Sequence, residues 1–170
     1  RDLGSRHTFD PRGKRILLLG AGGAARAAAF AFADGRAGEV VIANRTRSRA
    51  QGLADAIGDA ARVRSCDWTD LQATAAFDLI INATAAGHGE EALDLPHALV
   101  GSETLCYDLS YAKAARMFLD WSRNARATRM SDGLGMLVEQ AAESFMYWHG
   151  VRPDTAAVYR ELRAFLAQHP

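Results

Sequence analysis

A glycine-rich segment is the first part of the sequence with a recognisable chemistry. The run from Gly20 to Ala25 follows an apolar stretch at 15–19 and precedes an alanine-rich stretch at 24–33. Between a strand and a helix, such a run is the dinucleotide-binding fingerprint, because glycine permits a tight turn and lets the backbone approach a pyrophosphate. The free N–H groups at the helix start would then hold the phosphates. A glycine turn without a ligand is the alternative interpretation.

Three arginines indicate which dinucleotide the segment would bind. Arg45, Arg47 and Arg49 follow the second apolar stretch, where an NAD-binding domain places a carboxylate on the ribose 2′-hydroxyl. The segment 44–49 contains no carboxylate. Guanidinium groups bind phosphate through a planar fork, so the sequence favours NADP over NAD. A solvated basic helix start is the alternative, but cations at a helix N-terminus oppose the helix dipole.

Apolar stretches and helix-forming stretches alternate along the chain and predict the fold that would position these residues. Strands are expected at 15–19, 39–43, 63–66, 78–82, 104–109 and 127–130, with helices at 24–33, 47–57 and 114–122. This order predicts an α/β fold with a doubly wound, Rossmann-type parallel sheet. Two more helices, at 134–149 and 153–168, are expected to pack on it. We therefore divide the chain into a dinucleotide-binding domain, 1–133, and C-terminal helices, 134–170.

Composition narrows the classes of protein to which the chain could belong. It has 170 residues, of which 49% are hydrophobic and 24% charged, values that suit one globular domain with a few appended helices. The net charge of zero argues against a nucleic-acid partner. No apolar run could cross a bilayer and no signal core is present, so we expect no membrane partner and a cytoplasmic location.

The residues that commonly ligate metals are scattered. Cys66 and Cys106 are the two cysteines and have no C-x-x-C spacing, which argues against a disulfide framework or a zinc site. The five histidines also lack metal-ligand spacing. We expect no metal, and we expect the histidines to be loop or terminal residues: His7, His88, His97, His149 and His169.

Five short motifs together resemble the shikimate dehydrogenase family. Each motif alone is modest, but five in the family's order and at plausible spacings are specific, and they cover nearly the whole chain. They are Gly-Ala-Gly-Gly-Ala at 20–24, Asn-Arg-Thr-x-x-Arg at 44–49, Asn-Ala-Thr at 82–84, Asp-x-x-Tyr at 108–111 and Asp-Gly-x-x-Met-Leu-x-x-Gln at 132–140.

The resemblance implies a role for individual residues, position by position. Those expected to bind NADP are Gly20, Ala21, Gly22, Gly23 and Ala24 at the pyrophosphate, Asn44, Arg45, Thr46 and Arg49 at the adenosine ribose and its 2′-phosphate, and Asn82, Thr84, Leu109 and Gly133 elsewhere along the cofactor. Within the last group, Leu109 matches a position that lines the nicotinamide site and Gly133 a backbone contact to it.

Two further residues match family positions that reach across the cleft to bound shikimate. They are Tyr111 and Gln140. On pattern alone, Gln140 could equally be a glutamine on the surface or between helices, and Tyr111 an ordinary loop aromatic. Ala85 stands where the family commonly has serine, which puts any hydroxyl role there in doubt.

The resemblance also implies that part of the chemistry lies elsewhere. In the family a lysine and an aspartate do the acid–base work, and both belong to an N-terminal domain that precedes the part matched by this chain. The aspartate's motif, Asn-Thr-Asp-Gly, does not occur in the sequence, and neither Asp2 nor Lys113 is expected to replace the pair. We therefore expect the chain to bind NADP without turnover and to share its substrate with an N-terminal domain.

The expected activity of the intact enzyme is reversible reduction of 3-dehydroshikimate to shikimate with NADPH, in aromatic amino-acid biosynthesis, with a homodimer as one assembly. A quinate/shikimate dehydrogenase is an alternative, although its NAD-using members should carry an acid at 47–49. Glutamyl-tRNA reductase also pairs a glycine loop with Asn-Arg-Thr, but 132–140 does not resemble it. A non-catalytic nucleotide-sensing module is the alternative from another class, which a parent gene without a partner domain would favour.

Overall fold

A six-stranded parallel sheet lies at the centre of the molecule. The computed structural model describes residues 1–58, 62–84 and 94–169. The strands follow the order β3-β2-β1-β4-β5-β6, and every neighbouring pair is parallel. This order confirms the predicted α/β doubly wound sheet, in which the order of the strands reverses between β1 and β4. The strands are β1 (Arg15–Leu19), β2 (Glu39–Ala43), β3 (Val63–Cys66), β4 (Phe77–Asn82), β5 (Val100–Asp108) and β6 (Arg129–Ser131).

Helices connect the strands and extend beyond them at both ends. Single turns of 3-10 helix also occur at 69–73, 97–99 and 112–115. The α-helices are α1 (Asp2–His7), α2 (Gly23–Asp34), α3 (Arg47–Ile57), α4 (Arg116–Asn124), α5 (Leu134–His149) and α6 (Thr155–Gln168).

Alternate residues of each strand enter two separate hydrophobic clusters, one on each face of the sheet. In β1, Ile16 and Leu18 belong to the cluster that α2 and α3 cover, while Leu17 and Leu19 belong to the cluster that α4 covers. These four side chains are fully buried. Successive side chains of a strand point to opposite faces, so a continuous apolar run is what a sheet covered on both sides requires.

Small side chains let α2 lie close to the sheet. Ala25 and Ala29 of α2 are completely buried, and both belong to the same cluster as β1. On the other face, Phe118 and Trp121 of α4 stack with their ring centroids 5.5 Å apart. The indole N–H of Trp121 donates a hydrogen bond to the Leu95 carbonyl, which satisfies the one polar atom of this buried ring.

Several element boundaries differ from those predicted, and local hydrogen bonds explain them. Strand β5 begins four residues earlier than expected, at Val100, because the Thr104 hydroxyl bonds to the Phe77 carbonyl and holds the first half of β5 against β4. Helix α4 begins two residues late because 112–115 forms a 3-10 turn first. Helix α6 begins at Thr155, where the Asp154 side chain accepts two backbone N–H groups as N-cap. Helix α1 was not predicted at all.

No α-helix in the described part of the chain is long and apolar enough to cross a membrane.

Candidate cofactor-binding site

The glycine loop lies at the carboxyl ends of three central strands. The Gly20 N–H bonds to the Ala43 carbonyl at the end of β2, and the Ala83 N–H bonds to the Leu19 carbonyl at the end of β1. Gly20 has φ +106°, and a Cβ there would lie 2.8 Å from the Ala83 carbonyl oxygen. Both observations require glycine at this position. The loop thus occupies the point between β1 and β4 where open α/β sheets bind their ligands.

The N-terminus of α2 is open and carries no negative charge of its own. Gly22 is the N-cap residue and gives the helix no side-chain cap, and the first turn contains no acidic residue. A Cβ added at Gly22 or Gly23 would meet nothing within 4 Å. Uncapped N–H groups and the positive end of the helix dipole therefore face free space, an arrangement that suits an anion such as a pyrophosphate.

A cleft of about 410 Å³ joins this loop to α3. Arg49 lies in its wall, opposite the glycines, so the structure brings two predicted site segments together. Three residues that line the cleft were not predicted from the sequence: Arg26, Gly52 and Leu53. Each lies about one turn into α2 or α3, and that placement is the signal that could have indicated them. The lining residues are Ala21, Gly22, Gly23, Arg26, Arg49, Gly52 and Leu53.

The turn before α3 is held by its own polar groups. The Asn44 side-chain amide donates to the Thr46 carbonyl at 3.0 Å, and Thr46 is the N-cap residue of α3. Arg45 and Thr46 are exposed. Arg47 instead forms an ion pair of 3.0 Å with Asp67, which follows β3. Arg47 therefore has a partner of its own, and the expected roles of Arg45 and Arg49 at the 2′-phosphate stay predictions.

A buried amide–carboxyl pair joins the ends of β4 and β5. The Asn82 amide nitrogen donates to Asp108 at 2.8 Å, while the Asn82 carbonyl oxygen accepts the Thr84 hydroxyl at 2.7 Å. The other oxygen of Asp108 accepts the Ser110 N–H. Asp108 is completely buried, and burial raises the pKa of its carboxyl although these hydrogen bonds oppose the rise. Asn82 and Asp108 thus hold Thr84 and Ser110, which lie directly after their strands.

Gly133 brings a third loop against the first two. Its N–H bonds to the Ser110 carbonyl at 2.7 Å, and the Leu109 N–H bonds to the Asn82 carbonyl at 2.9 Å. A Cβ at Gly133 would overlap the Leu109 carbonyl oxygen, so only glycine allows this approach. The structure therefore groups four of the predicted residues, Asn82, Thr84, Leu109 and Gly133, at the carboxyl ends of β4 and β5.

The two predicted substrate residues are both exposed. Tyr111 has 42% of its surface accessible, and Gln140 lies on the exposed side of α5. No hydrogen bond between their side chains is present. Ala85 and His88, on which two further expectations fell, lie outside the described residues.

Metal ligands do not assemble in the described residues, where no group of three His, Cys, Asp or Glu side chains could hold a metal ion. Cys66 and Cys106 are buried free thiols. Burial raises the pKa of Cys106 to about 11, so this thiol is protonated and unreactive at neutral pH.

Comparison with known proteins places the chain among enzymes of one family. Residues 2–92 match the family described as Shikimate / quinate 5-dehydrogenase, and residues 133–163 match the Shikimate 5'-dehydrogenase C-terminal domain. Two curated relatives are the shikimate dehydrogenases (NADP(+)) of Stenotrophomonas maltophilia, 52% identical over 96% of this chain, and of Xylella fastidiosa, 49% identical over 96% of it. The chain spans 58% of the first of these relatives and 59% of the second.

Solved structures of similar proteins have the same fold. The Ael1 enzyme from Pseudomonas putida is 42% identical, with a TM-score of 0.87 over 95% of this chain and 59% of its own. The shikimate 5-dehydrogenase from Thermus thermophilus in complex with shikimate is 33% identical, with a TM-score of 0.71 over 89% of this chain and 54% of its own. By its match over residues 2–92, this chain belongs to the shikimate/quinate 5-dehydrogenase family.

Proposed function

We propose that this chain is the NADP-binding part of a shikimate dehydrogenase, and that the whole enzyme reversibly reduces 3-dehydroshikimate to shikimate with NADPH. The observation that carries the proposal is the cleft in which Arg49 faces the open glycine loop. A pyrophosphate fits the uncapped start of α2, and a 2′-phosphate fits a guanidinium on the neighbouring helix. The curated relatives named above are NADP(+) enzymes, which supports the same cofactor here.

The residues at the ends of β4 and β5 would hold the other half of the cofactor. When bound, the nicotinamide supplies or accepts the hydride. Leu109 and Gly133 would form the wall against which the ring lies, and the Asn82–Asp108 pair would keep that wall in place. Tyr111 and Gln140 would contact the substrate from this side of a cleft shared with another domain.

The proton donor for the reaction would come from the part of the protein that the relatives have beyond this match. Asp108 is completely buried and both its oxygens accept hydrogen bonds, so it is poorly placed to exchange a proton with substrate. Lys14 pairs with Asp78 at the amino ends of the strands, away from the glycine loop. A lysine–aspartate pair outside this chain would then do the acid–base work, and the chain would bind cofactor without turnover.

The C-terminal helices would face that other domain. The last turn of α5 exposes large apolar side chains, among them Tyr147 at 87% and Trp148 at 73% of their surfaces. Exposed aromatic clusters of this kind mark protein contacts. This supports assigning residues 134–170 a double role, packing on the dinucleotide-binding domain of residues 1–133 and docking the substrate domain. NADP and shikimate or 3-dehydroshikimate would be the small-molecule partners, and the cytoplasm the location.

A substitution at Gly22 tests whether the loop binds the cofactor. Gly22 has an ordinary extended backbone and open space around it, so Gly22→Val should leave the fold intact while placing two methyl groups where the pyrophosphate must lie. In a titration followed by NADPH fluorescence, binding should be lost, while circular dichroism stays unchanged. Gly4→Val, at another glycine whose Cβ would meet nothing, is the matched control. Unchanged NADPH affinity in the Gly22 variant would mean that the loop is a turn only.

One alternative is a quinate/shikimate dehydrogenase, and the family description covers both substrates. Saturation kinetics of the full-length enzyme with shikimate and with quinate would distinguish the two.

A further inference from the structure

A buried carboxylate joins three segments next to the proposed nicotinamide site. Asp132 is 6% exposed, and its two oxygens accept hydrogen bonds from Arg163 at 2.8 and 2.6 Å. It also accepts the Leu134 N–H at 3.3 Å and the Ala112 N–H at 3.4 Å. One side chain therefore connects the loop after β5, the start of α5 and the middle of α6.

Arg163 is held in place by its own helix before it reaches Asp132. It donates to the Tyr159 hydroxyl at 2.9 Å, and its guanidinium lies over the Tyr159 ring, 5.1 Å from the centroid. Arg6 covers the same ring at 4.6 Å. No side chain of α6 is fully buried, so polar contacts such as this fork contribute much of what fixes the helix. A planar, bidentate fork also sets the orientation of its partner carboxylate.

The segments that Asp132 joins carry the predicted cofactor and substrate residues. Gly133 follows Asp132 directly and contacts the Leu109 carbonyl. Tyr111 precedes Ala112, whose φ of +52° places a non-glycine residue in the left-handed region. That conformation is unfavourable and persists where surrounding contacts hold it, and the Asp132–Ala112 hydrogen bond is one such contact.

Arg163 also compensates the negative charge of the buried Asp132. Burial alone would raise the pKa of Asp132, but the hydrogen bonds and charge of Arg163 lower it below its ordinary value. Asp132 is therefore an anion, close enough to the buried Asp108 to disfavour a second charge there. Without Arg163, an uncompensated buried carboxylate would remain beside the site, which is a strongly unfavourable arrangement.

We infer that Arg163 is a positioning residue for the nicotinamide end of the cofactor site, acting through Asp132 on Gly133 and on the segment that carries Tyr111. The inference rests on the proposed function. The role of Arg163 would concern only the nicotinamide end of the cofactor, because the glycine loop and Arg49 would bind the adenosine half without the Arg163–Asp132 contact. Arg163 lies on the last helix of the chain, and its role follows from the two hydrogen bonds of its guanidinium to Asp132.

Two probes distinguish the ends of the site in calorimetric titrations of the chain. NADP contacts both ends, whereas 2′,5′-ADP carries only the adenosine half with its 2′-phosphate. In Arg163→Leu, NADP affinity should fall about fivefold while 2′,5′-ADP affinity stays within about twofold of the unmutated chain. Arg160→Leu, at an exposed arginine on the same helix, is the matched control and should change neither affinity.

Two more variants keep the test decisive. Arg163→Lys retains the charge and loses the fork, so it should show a smaller loss for NADP alone, and it carries the test if Arg163→Leu does not fold. Asp132→Asn combined with Arg163→Leu should be no worse than the stronger single variant, since both act through one contact. Equal losses for both probes, or no loss for NADP, would overturn the inference. Failure of the unmutated chain to bind 2′,5′-ADP would overturn the proposed function, and this inference with it.

Discussion

Arg47 and Arg49 lie two residues apart at the start of α3, but their surroundings differ. Arg49 lines the cleft beside the glycine loop, whereas Arg47 pairs with Asp67. The resemblance singles out Arg45 and Arg49 rather than Arg47, but the partner of Arg47, Asp67, lies about 20 residues later in the chain and could not be read from the segment itself. These positions favour Arg49 over Arg47 as the proposed contact to the 2′-phosphate.

Alanine substitutions at these two positions should have unequal effects. Arg49→Ala should weaken NADP binding by about tenfold or more, since a charge-assisted contact to phosphate is worth roughly 1.5–3 kcal/mol. NAD binding should change little, because NAD has no 2′-phosphate. Arg47→Ala should leave both affinities close to those of the unmutated chain. Fluorescence titration with each dinucleotide measures the four values, and an equal loss in the two variants would contradict the assignment to Arg49.

Helix α1 is an element that the sequence pattern could not predict. Its six residues carry no clear apolar period, and what fixes it is a buried contact from a distant strand. The Asp2 carboxylate accepts the Tyr107 hydroxyl of β5 at 2.5 Å and an Arg6 hydrogen bond at 2.7 Å. It also lies against Gly135 of α5, where a Cβ would overlap it.

The charge of Asp2 predicts a pH-dependent contribution to stability. Burial would raise the pKa of Asp2, but hydrogen bonds from His7, Tyr107 and Arg6 lower it from 3.8 to about 2. A depressed pKa stabilises the fold at pH values above 3.8, and that stabilisation is lost as the pH falls towards 2. Asp2→Asn should cost about 2 kcal/mol of unfolding free energy at pH 7.

Urea unfolding at pH 7 and at pH 3 measures this contribution. The difference in unfolding free energy between the unmutated chain and Asp2→Asn should be larger at pH 7 than at pH 3, because only the unmutated chain has the Asp2 charge to lose on acidification. Asp10→Asn, at an exposed aspartate that pairs with Arg12, is the control for a surface carboxylate. A difference independent of pH would mean that the Asp2 contact stabilises through shape rather than charge.

The regular elements were predictable because their signals are local. Continuous apolar runs bounded by glycine define β1 and β2, and the bounds of α3 and α5 agree with those read from the sequence. Glycines 20 and 133 could be recognised by motif, but the reason for each, contact with Ala83 and with Leu109, depends on loops far away in the chain. Asp132 and Arg163 meet across 31 residues, so no local pattern indicates their pairing.

In the molecule as a whole, the candidate cofactor-binding site lies along one edge of the sheet. The cleft and the Gly133 loop lie at the carboxyl edge of the sheet, and the last turn of α5 exposes aromatic residues. The curated relatives are longer, since the chain spans 58% of the first of them. Cofactor binding and turnover should therefore be separable in this protein.

Turnover measurements test that separation. The chain alone should show no NADP-dependent oxidation of shikimate at any pH, even with saturating cofactor. Fused behind the remaining part of the Stenotrophomonas maltophilia relative, it should regain activity, because that part would supply the acid–base pair. In the fusion, Tyr111→Phe or Gln140→Ala should raise KM for shikimate while sparing NADP binding. Turnover by the chain alone would place the proton donor within it, with Lys113 and Asp108 as the first residues to substitute.

The proposed function requires that this chain bind NADP through a phosphate-binding cleft and discriminate it from NAD. Titration of the unmutated chain with both dinucleotides, under identical buffer and salt, measures this discrimination. NADP should bind at least about ten times more tightly, because one 2′-phosphate contact to a guanidinium is worth that ratio. Equal affinities for NADP and NAD, or no binding of either, would contradict the account.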